Sequence, residues 1–366
     1  MQSYPLHSLI RGSWFKLICG ASYQHLPVVR NLALAYSLAG ADCIDVAADP
    51  AVIAAAQEGI TAAQQSNTSN KSNQLPWLMV SINDGEDPHF RKAHFDVAQC
   101  PTECPQPCVQ VCPAAAIDLS SGGVIEPLCY GCGRCLPICP QQLIVTDSRQ
   151  SSIDEVVKWI KSMKIDAIEI HTQVGHYDNF KQVWHGILPI IDQLKLLAIS
   201  CTDAPDVIEY LRSLSALISP LPCPLVWQTD GRSMSGDIGK GTTHAAIAFA
   251  RKLISSQLPG YVQLAGGTNN YTVDKLRELN LLQQSNTPGV KAVSGVAYGS
   301  YARGILSPIL NKLEMAQLQP IQSNSFTTGT MNQLNLKLEQ DQKALDLAVA
   351  TASKLVNQVK QPQALR

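Results

Sequence analysis

The chain has 366 residues and a net charge of −1 at pH 7, and charged residues make up only 16% of it. Because no run of Lys or Arg and no basic half occurs, the composition argues against a nucleic-acid-binding surface. No segment reaches the ~18 uninterrupted apolar residues that a membrane helix needs, so we expect a cytoplasmic protein that is not integral to a membrane.

The first 83 residues alternate short apolar runs with amphipathic stretches, which is the pattern of strands followed by helices. The predicted strands are Lys16–Ser22, Asp42–Ala48 and Trp77–Asn83, and the predicted helices lie around Pro27–Ala39 and Pro50–Glu58. A polar, low-complexity stretch, Thr61–Gln74, is predicted to be an exposed linker before the third strand.

The twelve cysteines are distributed unevenly, with eight of them between Cys100 and Cys139. Thiols of unexported proteins are kept reduced, so metal or redox chemistry explains these eight better than disulfides do. The other four lie in apolar surroundings and are predicted to be small buried hydrophobic side chains: Cys19, Cys43, Cys201 and Cys223.

The second half of this cysteine segment, CYGCGRCLPICP, has the spacing C-x2-C-x2-C-x3-C-P at Cys129, Cys132, Cys135 and Cys139. This spacing is typical of the [4Fe–4S] loop of bacterial ferredoxins. The short spacers let successive thiolates reach different irons, and Gly131 and Gly133 allow turns that bring backbone N–H groups toward the sulfides. Zinc is the alternative, but zinc ribbons place two C-x-x-C pairs far apart in sequence.

The first half of the segment, CPTECPQPCVQVCP, repeats the unit with wider spacing at Cys100, Cys104, Cys108 and Cys112. The repeat continues beyond the cysteines, because VCPAAAI matches ICPQQLI and both predict a short helix followed by a strand. The segment therefore resembles a two-cluster ferredoxin, in which the last cysteine of each set binds the other cluster.

That resemblance implies two [4Fe–4S] clusters with exchanged fourth ligands. One would be held by Cys129, Cys132, Cys135 and Cys112, and the other by Cys100, Cys104, Cys108 and Cys139. The wider spacing of the first set leaves the type of the second cluster open.

Five further apolar runs follow the cysteine segment, again alternating with amphipathic stretches. The predicted strands are Asp166–Thr172, Lys195–Cys201, Pro224–Thr229, Tyr261–Ala265 and Val293–Gly299. The predicted helices lie around Ile153–Met163, Asn179–Leu194, Ala204–Leu214, Thr242–Ser256, Val273–Asn280 and Arg303–Met315. A last helical pattern, Gln333–Val359, is predicted to pack on the outside of the domain, with contact to a partner as the alternative.

Eight strand–helix units predict an α/β fold, a (β/α)8-like barrel with an inserted two-cluster ferredoxin-like α+β domain. The predicted boundaries are 1–83 for the first three units, 84–150 for the insertion, 151–318 for the other five units and 319–366 for a C-terminal extension with a helix. An open, doubly wound sheet is the alternative. In a barrel, the insertion would lie at the C-terminal face of the strands, where the ligand sites of this fold are found.

Glycine-rich turns end the seventh and eighth predicted strands, in LAGGTNN and AYGSYARG. These loops bind phosphate in many barrels, so Gly266, Gly267, Gly299 and Ser300 are candidates to hold a flavin or another phosphate-bearing ligand. Ordinary βα turns contain glycine too, which leaves the ligand open.

Other polar residues are predicted at strand ends: Asp49, Asn83, His171, Thr202, Asp203, Gln228 and Asp230. They indicate no nucleophile–base pair, so no catalytic residue is assigned. The glycine-rich stretch SGDIGKGTTH is not a P-loop, because Gly241 follows Lys240, and it predicts a capped helix start at Thr242.

The cysteine spacing within this long chain, together with QLAGGTNNYTVDKL and SGVAYGSYARGIL, resembles the cyanobacterial light-dependent period family. The resemblance covers nearly the whole chain. It implies an iron–sulfur protein that senses cellular redox state as a proxy for light and passes it to the circadian clock. The implied partners are an input histidine kinase and the oscillator proteins. The alternative is an oxidoreductase whose clusters feed a flavin at the barrel mouth.

Overall fold

The computed structural model describes residues 4–66, 75–112, 114–148, 152–231, 241–282, 292–318 and 337–361. Its strands are β1 (Trp14–Gly20), β2 (Cys43–Ala47), β3 (Trp77–Asn83), β4 (Arg91–His94), β5 (Ile117–Asp118), β6 (Gly123–Val124), β7 (Val145–Ser148), β8 (Ala167–Thr172), β9 (Leu196–Thr202), β10 (Leu225–Asp230), β11 (Tyr261–Ala265) and β12 (Val293–Tyr298). Its α-helices are α1 (Tyr4–Arg11), α2 (Leu26–Ala39), α3 (Pro50–Ser66), α4 (Pro107–Val111), α5 (Cys135–Ile138), α6 (Ile153–Met163), α7 (Tyr177–Ile187), α8 (Val207–Leu217), α9 (His244–Ser255), α10 (Thr272–Glu278), α11 (Ser300–Leu318) and α12 (Gln342–Lys360). No helix in this described part of the chain has the length and apolar character to span a membrane.

Eight parallel strands close into a barrel in the order β1, β12, β11, β10, β9, β8, β3, β2. The prediction of a (β/α)8-like barrel is therefore confirmed, and the open sheet is excluded because β1 pairs with both β2 and β12. Helices cover the outside, so the strands are buried on both faces and read as nearly continuous apolar runs. Cys19, Cys43 and Cys201 are buried in the barrel as predicted, while Cys223 is half-buried.

Two helices differ from the sequence predictions, and burial explains both differences. Helix α3 continues to Ser66 because Ala62 and Ala63 are buried, so the prediction of a linker was wrong for residues 61–66. The rest of that stretch, residues 67–74, lies outside the described residues. Helix α1, which was not predicted, closes the N-terminal end of the barrel, where Leu9 joins an apolar cluster with Trp14 and Trp77.

The chain between β3 and α6 contains two small antiparallel sheets, in which β4 pairs with β7 and β5 pairs with β6. Helices α4 and α5 end directly before Cys112 and Cys139, so the helical turn of each repeat precedes its last cysteine and the strand follows it. Apolar side chains from both repeats, among them Ile117 and Ile144, meet in one core. This segment thus has a hydrophobic core separate from that of the barrel.

The C-terminal helix α12 packs on the outside of the barrel against α2 and α11, as predicted. Leu345, Leu355 and Val359 are buried on one side of it. Near its end, the Lys360 ammonium donates to the carboxylate of Asp42, 2.5 Å away, at the entry to β2. The first residues of the predicted helix, 333–336, lie outside the described residues.

Candidate functional site

One cavity between β4, β5 and the cysteine loops is lined by four of the clustered thiols: Cys112, Cys129, Cys132 and Cys135. Cys112 belongs by sequence to the first set of cysteines, yet the fold brings it to three members of the second set. Tyr130 and Ile117 contribute to the same lining. The grouping is the one that the ferredoxin resemblance implies.

The other four thiols form a second group, in which Cys139 lies beside Cys100, Cys104 and Cys108. Desolvation and the charges of the three neighbouring thiols raise the pKa of Cys100. Desolvation, together with Cys139 and Cys104, likewise raises the pKa of Cys108. The fold therefore exchanges the last cysteine in both directions.

Backbone N–H groups point at several of these sulfurs. The Ala116 N–H donates to Cys112 Sγ at 3.2 Å, and the Ala93 N–H donates to Cys129 Sγ at 3.5 Å. Desolvation opposes ionisation of Cys139, but the backbone N–H groups of residues 141–144 outweigh it and lower its pKa. Such N–H to sulfur bonds orient thiolate ligands and tune the potential of an iron–sulfur cluster.

The clustered sulfurs are not gathered as closely as a single zinc ion would hold them. Tetrahedral zinc, with Zn–S bonds of ~2.3 Å, holds its sulfurs roughly 3.8 Å apart. Across the described residues, no three cysteine sulfurs lie within 4.8 Å of one another. The all-thiolate donor set suits an iron–sulfur cluster, whose ligands bind four separate irons.

Gly131 has a backbone conformation and a contact that only glycine satisfies. Its φ is +73°, and a Cβ at this position would lie 2.1 Å from the carbonyl oxygen of Arg91 on β4. Gly131 thus has the turn conformation that the sequence predicted, and a side chain there would push the loop away from β4.

Tyr130 connects the first thiol cavity to the barrel. Its ring lies 4.6 Å from the guanidinium carbon of Arg303 on α11 and meets the ring of Tyr23 edge-on at 6.1 Å. Arg303 donates in turn to the carbonyl oxygen of Ile18 on β1 at 3.0 Å. On the same side, Lys92 of β4 donates to the carbonyl oxygen of Glu126 at 2.8 Å. The cysteine loop is thus joined through Arg303 to the C-terminal part of β1.

Three charged side chains meet inside the barrel: Lys16 on β1, Asp45 on β2 and Glu169 on β8. The Lys16 ammonium lies 3.0 Å from the Asp45 carboxylate and also donates to Glu169. Burial disfavours the ammonium, but the two carboxylates outweigh it and raise the pKa of Lys16. Burial likewise opposes ionisation of Glu169, yet Lys16 lowers its pKa. Lys16 is therefore held as a cation and is not a free amine for nucleophilic chemistry.

Toward the barrel mouth, His171 on β8 meets Asp87 and His89 from the loop after β3. The His171 Nε2 atom lies 2.9 Å from Glu169 Oε1, and its Nδ1 atom lies 3.7 Å from Asp87 Oδ2. The His89 Nδ1 atom lies 2.7 Å from Asp87 Oδ1, and its Nε2 atom lies 3.0 Å from Asp230 Oδ2 at the end of β10. The loop after β3 thereby covers this part of the mouth.

The charges of this group stabilise one another. Burial opposes protonation of His171, but Asp87 and Glu169 raise its pKa to about 9. Burial also opposes protonation of His89, whose pKa is raised by Asp230 and Asp87. Burial disfavours the Asp87 carboxylate, but the two histidines lower its pKa.

The four residues predicted to bind phosphate follow two strands, Gly266 and Gly267 after β11 and Gly299 and Ser300 after β12. The Thr242 hydroxyl donates to the Gly267 carbonyl oxygen at 2.6 Å, and a Cβ at Gly267 would lie 2.5 Å from the Thr242 carbonyl oxygen. A Cβ added at Gly299 would lie 3.6 Å from one terminal guanidinium nitrogen of Arg303, and the other terminal nitrogen donates to Ser300 Oγ at 3.2 Å. The phosphate site remains a prediction, and a side chain at Gly267 would disturb the loop itself.

Five of the seven polar residues predicted at strand ends fall into two groups. His171 and Asp230 join the group at the mouth, and Gln228 donates to Glu169 Oε1 at 2.6 Å. Asp49 instead accepts from the first N–H groups of α3, and Asp203 pairs with Lys252 at the surface.

Five charged residues of these networks were not predicted from the sequence: Lys16, Asp45, Asp87, His89 and Glu169. Three of them interrupt buried strands, in KLICG, CIDVA and AIEIH. A charge within an apolar strand was the available signal, because Lys, Asp and Glu are almost never fully buried without a partner.

Two family descriptions match the chain. The light dependent period A C-terminal domain matches residues 159–358, and the family's Fe-S cluster-binding domain matches residues 100–150. The chain is 49% identical over 359 aligned residues to the protein "Light dependent period A" of Synechococcus elongatus. The alignment covers 98% of this chain and 94% of that protein.

The solved structures that match the chain share little sequence with it and have TM-scores below 0.5. The 4-hydroxy-tetrahydrodipicolinate synthase of Methylacidiphilum fumariolicum has 8% identity and a TM-score of 0.39, with coverage of 95% of this chain and 98% of that one. The (S)-3-O-geranylgeranylglyceryl phosphate synthase of Thermoplasma acidophilum has 14% identity and a TM-score of 0.34, with coverage of 97% and 100%.

Proposed function

The chain belongs to the light dependent period A family and has its Fe–S cluster-binding domain, and from this premise we propose that it senses cellular redox state and relays it to the circadian clock. The sensing elements are two [4Fe–4S] clusters in a ferredoxin-like insertion spanning about residues 84–150. The proposed partners are an input histidine kinase and the oscillator proteins, as the sequence resemblance implies. Such a relay operates in the cytoplasm.

The observation that carries this proposal is the exchange of Cys112 and Cys139 between the two sets of thiols. Cys112 shares a cavity with Cys129, Cys132 and Cys135, and Cys139 lies beside the remaining three cysteines. Two separate groups of four thiols, each drawn from both repeats, support two clusters with the ligands named above.

Each cluster, when bound, supplies a one-electron redox couple. The residues of the chain set the surroundings of that couple. The N–H groups of Ala93 and Ala116 donate to the sulfurs of the first group. Tyr130 and Arg303 join the same group to the barrel, so a change in cluster charge acts on the contact between the insertion and β1.

The oxidoreductase alternative has less support from the geometry. It depends on a ligand at the barrel mouth, but Gly267 packs on Thr242, and Arg303 lies over Gly299. Asp87 and His89 fill a further part of the mouth with side chains that pair to the strands. We therefore favour a sensor over a flavin enzyme.

Two measurements on anaerobically purified protein test this function. Iron and acid-labile sulfide analysis is expected to give about eight of each per chain, as two [4Fe–4S] clusters require. The affinity for the input kinase is then measured with the protein poised oxidised and reduced. We expect a difference of at least about fivefold, the lower end of ordinary coupling between sites. Equal affinities in both redox states would contradict the relay.

A further inference from the structure

Outside the cysteine groups, one cluster of side chains has the composition of a metal site. Asp87, His89 and His171 each offer a donor atom, and these three atoms lie within 4.8 Å of one another. Among the described residues, no other group of three or more His, Cys, Asp or Glu donors meets this spacing. The loop after β3 supplies two of the donors, and barrel strand β8 supplies the third.

The two imidazole rings are oriented in the same way. His171 directs Nε2 at Glu169 and Nδ1 at Asp87, and His89 directs Nε2 at Asp230 and Nδ1 at Asp87. Both Nδ1 atoms therefore face one carboxylate, while each Nε2 is held by a different buried carboxylate. Metal-binding histidines almost always donate their second ring nitrogen to a carboxylate, carbonyl or water, which fixes the tautomer and the ring.

The donors are also held in place by their surroundings. Asp87 caps the short 3-10 helix Pro88–Phe90 by accepting from the backbone N–H of His89 at 2.7 Å. The ring of Phe90 meets that of His171 edge-on at 5.2 Å between centroids. The side chain of His171 is only 7% exposed and that of Asp87 18% exposed. A preorganised site of this kind loses little conformational entropy when an ion binds.

The charge of the surroundings favours a cation. The carboxylates of Asp87, Asp230, Glu169 and Asp45 lie in one connected network, whose cations are Lys16 and the protonated rings of His89 and His171. A divalent ion would replace the two Nδ1 protons that now face Asp87, and its charge would be balanced by the same carboxylates.

We propose that Asp87, His89 and His171 bind a divalent first-row transition ion at the barrel mouth. Asp87 supplies a carboxylate oxygen, and the histidines supply their Nδ1 atoms, with Glu169 and Asp230 supporting the rings. Two imidazoles and one carboxylate suit Zn²⁺ or Fe²⁺ and disfavour Mg²⁺ or Ca²⁺, which take oxygen ligands. The ion would join the start of the insertion to β8 and so fix the insertion on the barrel.

The test uses full-length protein with intact clusters and Zn²⁺ as the probe. Protein is incubated anaerobically with Zn²⁺, desalted, and analysed for zinc and iron together. We expect about one retained zinc per chain with unchanged iron. Zinc K-edge absorption is not affected by the clusters, and it should show nitrogen and oxygen neighbours at ~2.0–2.1 Å. Zinc binding should also raise the melting temperature.

Substitutions separate this site from adventitious binding. D87N and H171Q should each weaken zinc binding by more than about 100-fold, and D230N, which loosens a supporting contact, by about 10–100-fold. The matched control is H176Q, because His176 also pairs with an aspartate at this end of the barrel, Asp84, at 3.0 Å. H176Q should bind zinc as the unaltered protein does.

Three outcomes would overturn the proposal. The first is that folded protein retains no zinc. The second is that the zinc has sulfur neighbours at ~2.3 Å, which would place it on cluster cysteines. The third is that D87N and H171Q leave zinc retention unchanged. If D87N does not fold, H89Q removes another donor from the same loop and serves as the second variant.

Discussion

The guanidinium of Arg303, on α11, lies over the ring of Tyr130, in the cysteine loop, with 4.6 Å between the guanidinium carbon and the ring centroid. Tyr130 follows Cys129 in sequence and lines the same cavity as that thiol. Arg303 is anchored on the barrel side by the carbonyl oxygen of Ile18 and by Ser300. A cation fixed to the barrel thus lies beside the ligand loop of the first proposed cluster.

Replacing this cation should change the potential of that cluster. Reduction adds a negative charge, which a nearby cation stabilises, so R303M should lower the midpoint potential by an amount on the order of tens of millivolts. R303K retains the charge and should stay closer to the parent value. The measurement is a redox titration followed by electron paramagnetic resonance. An upward shift in R303M, or equal shifts in both variants, would rule out this electrostatic role.

The exchange of the last cysteines predicts a crossed pattern of damage. C112S should damage the cluster of Cys129, Cys132 and Cys135, because its side chain lies in their cavity. C139S should damage the cluster of the other set. Resonance spectra of the two reduced variants check this, since each should lose a different component. If each variant lost the cluster of its own sequence neighbours, the ligand sets would be wrong.

Two glycines with positive φ provide a matched pair in the insertion. Gly131 has φ +73° and would place a Cβ 2.1 Å from the Arg91 carbonyl oxygen, while Gly122 has φ +89° and would meet nothing within 4 Å. Both G131A and G122A incur the ~1 kcal/mol cost of a left-handed alanine, but only G131A adds a steric clash. We expect G131A to lose bound iron and G122A to retain it. Equal iron contents in the two purified variants would contradict the steric argument.

The contact between Asp42 and Lys360 should make stability depend on pH. Burial raises the pKa of Asp42 to about 6, although Lys360 opposes this. Because the folded pKa exceeds the unfolded value of ~3.9, protonation favours the folded state. This contribution is complete below about pH 4 and is lost as the pH rises through the folded value.

K360M should therefore lower the free energy of unfolding more at neutral pH than in mild acid. At pH 7 it leaves a buried, unpaired carboxylate, a change that typically costs about 3–5 kcal/mol. At about pH 5 the Asp42 carboxyl takes up a proton and the loss should shrink. Melting temperatures at one scan rate measure both effects. In the double variant D42N/K360M, this pH dependence of the melting temperature should be largely absent. If the pH dependence persisted, it would arise from another titratable group.

The cysteine spacing and the alternation of strands and helices are local properties of the sequence, and they were enough to predict much of the fold. All eight barrel strands begin and end within two residues of their predicted bounds, from Trp14–Gly20 to Val293–Tyr298. Burial on both faces of a parallel strand imposes an apolar run that is readable without tertiary information. The family resemblance, too, rested on residues close together in sequence.

Only the tertiary structure decided which distant charges meet. Lys16 and Glu169 are 153 positions apart, and their contact depends on closure of the barrel, which brings β1, β2 and β8 around one interior. Asp87 and His89 read as ordinary polar loop residues until the loop after β3 carries them to His171 and Asp230. Strand type follows from the local pattern of burial, whereas the partners of a buried charge follow from register and closure, which no local stretch of sequence contains.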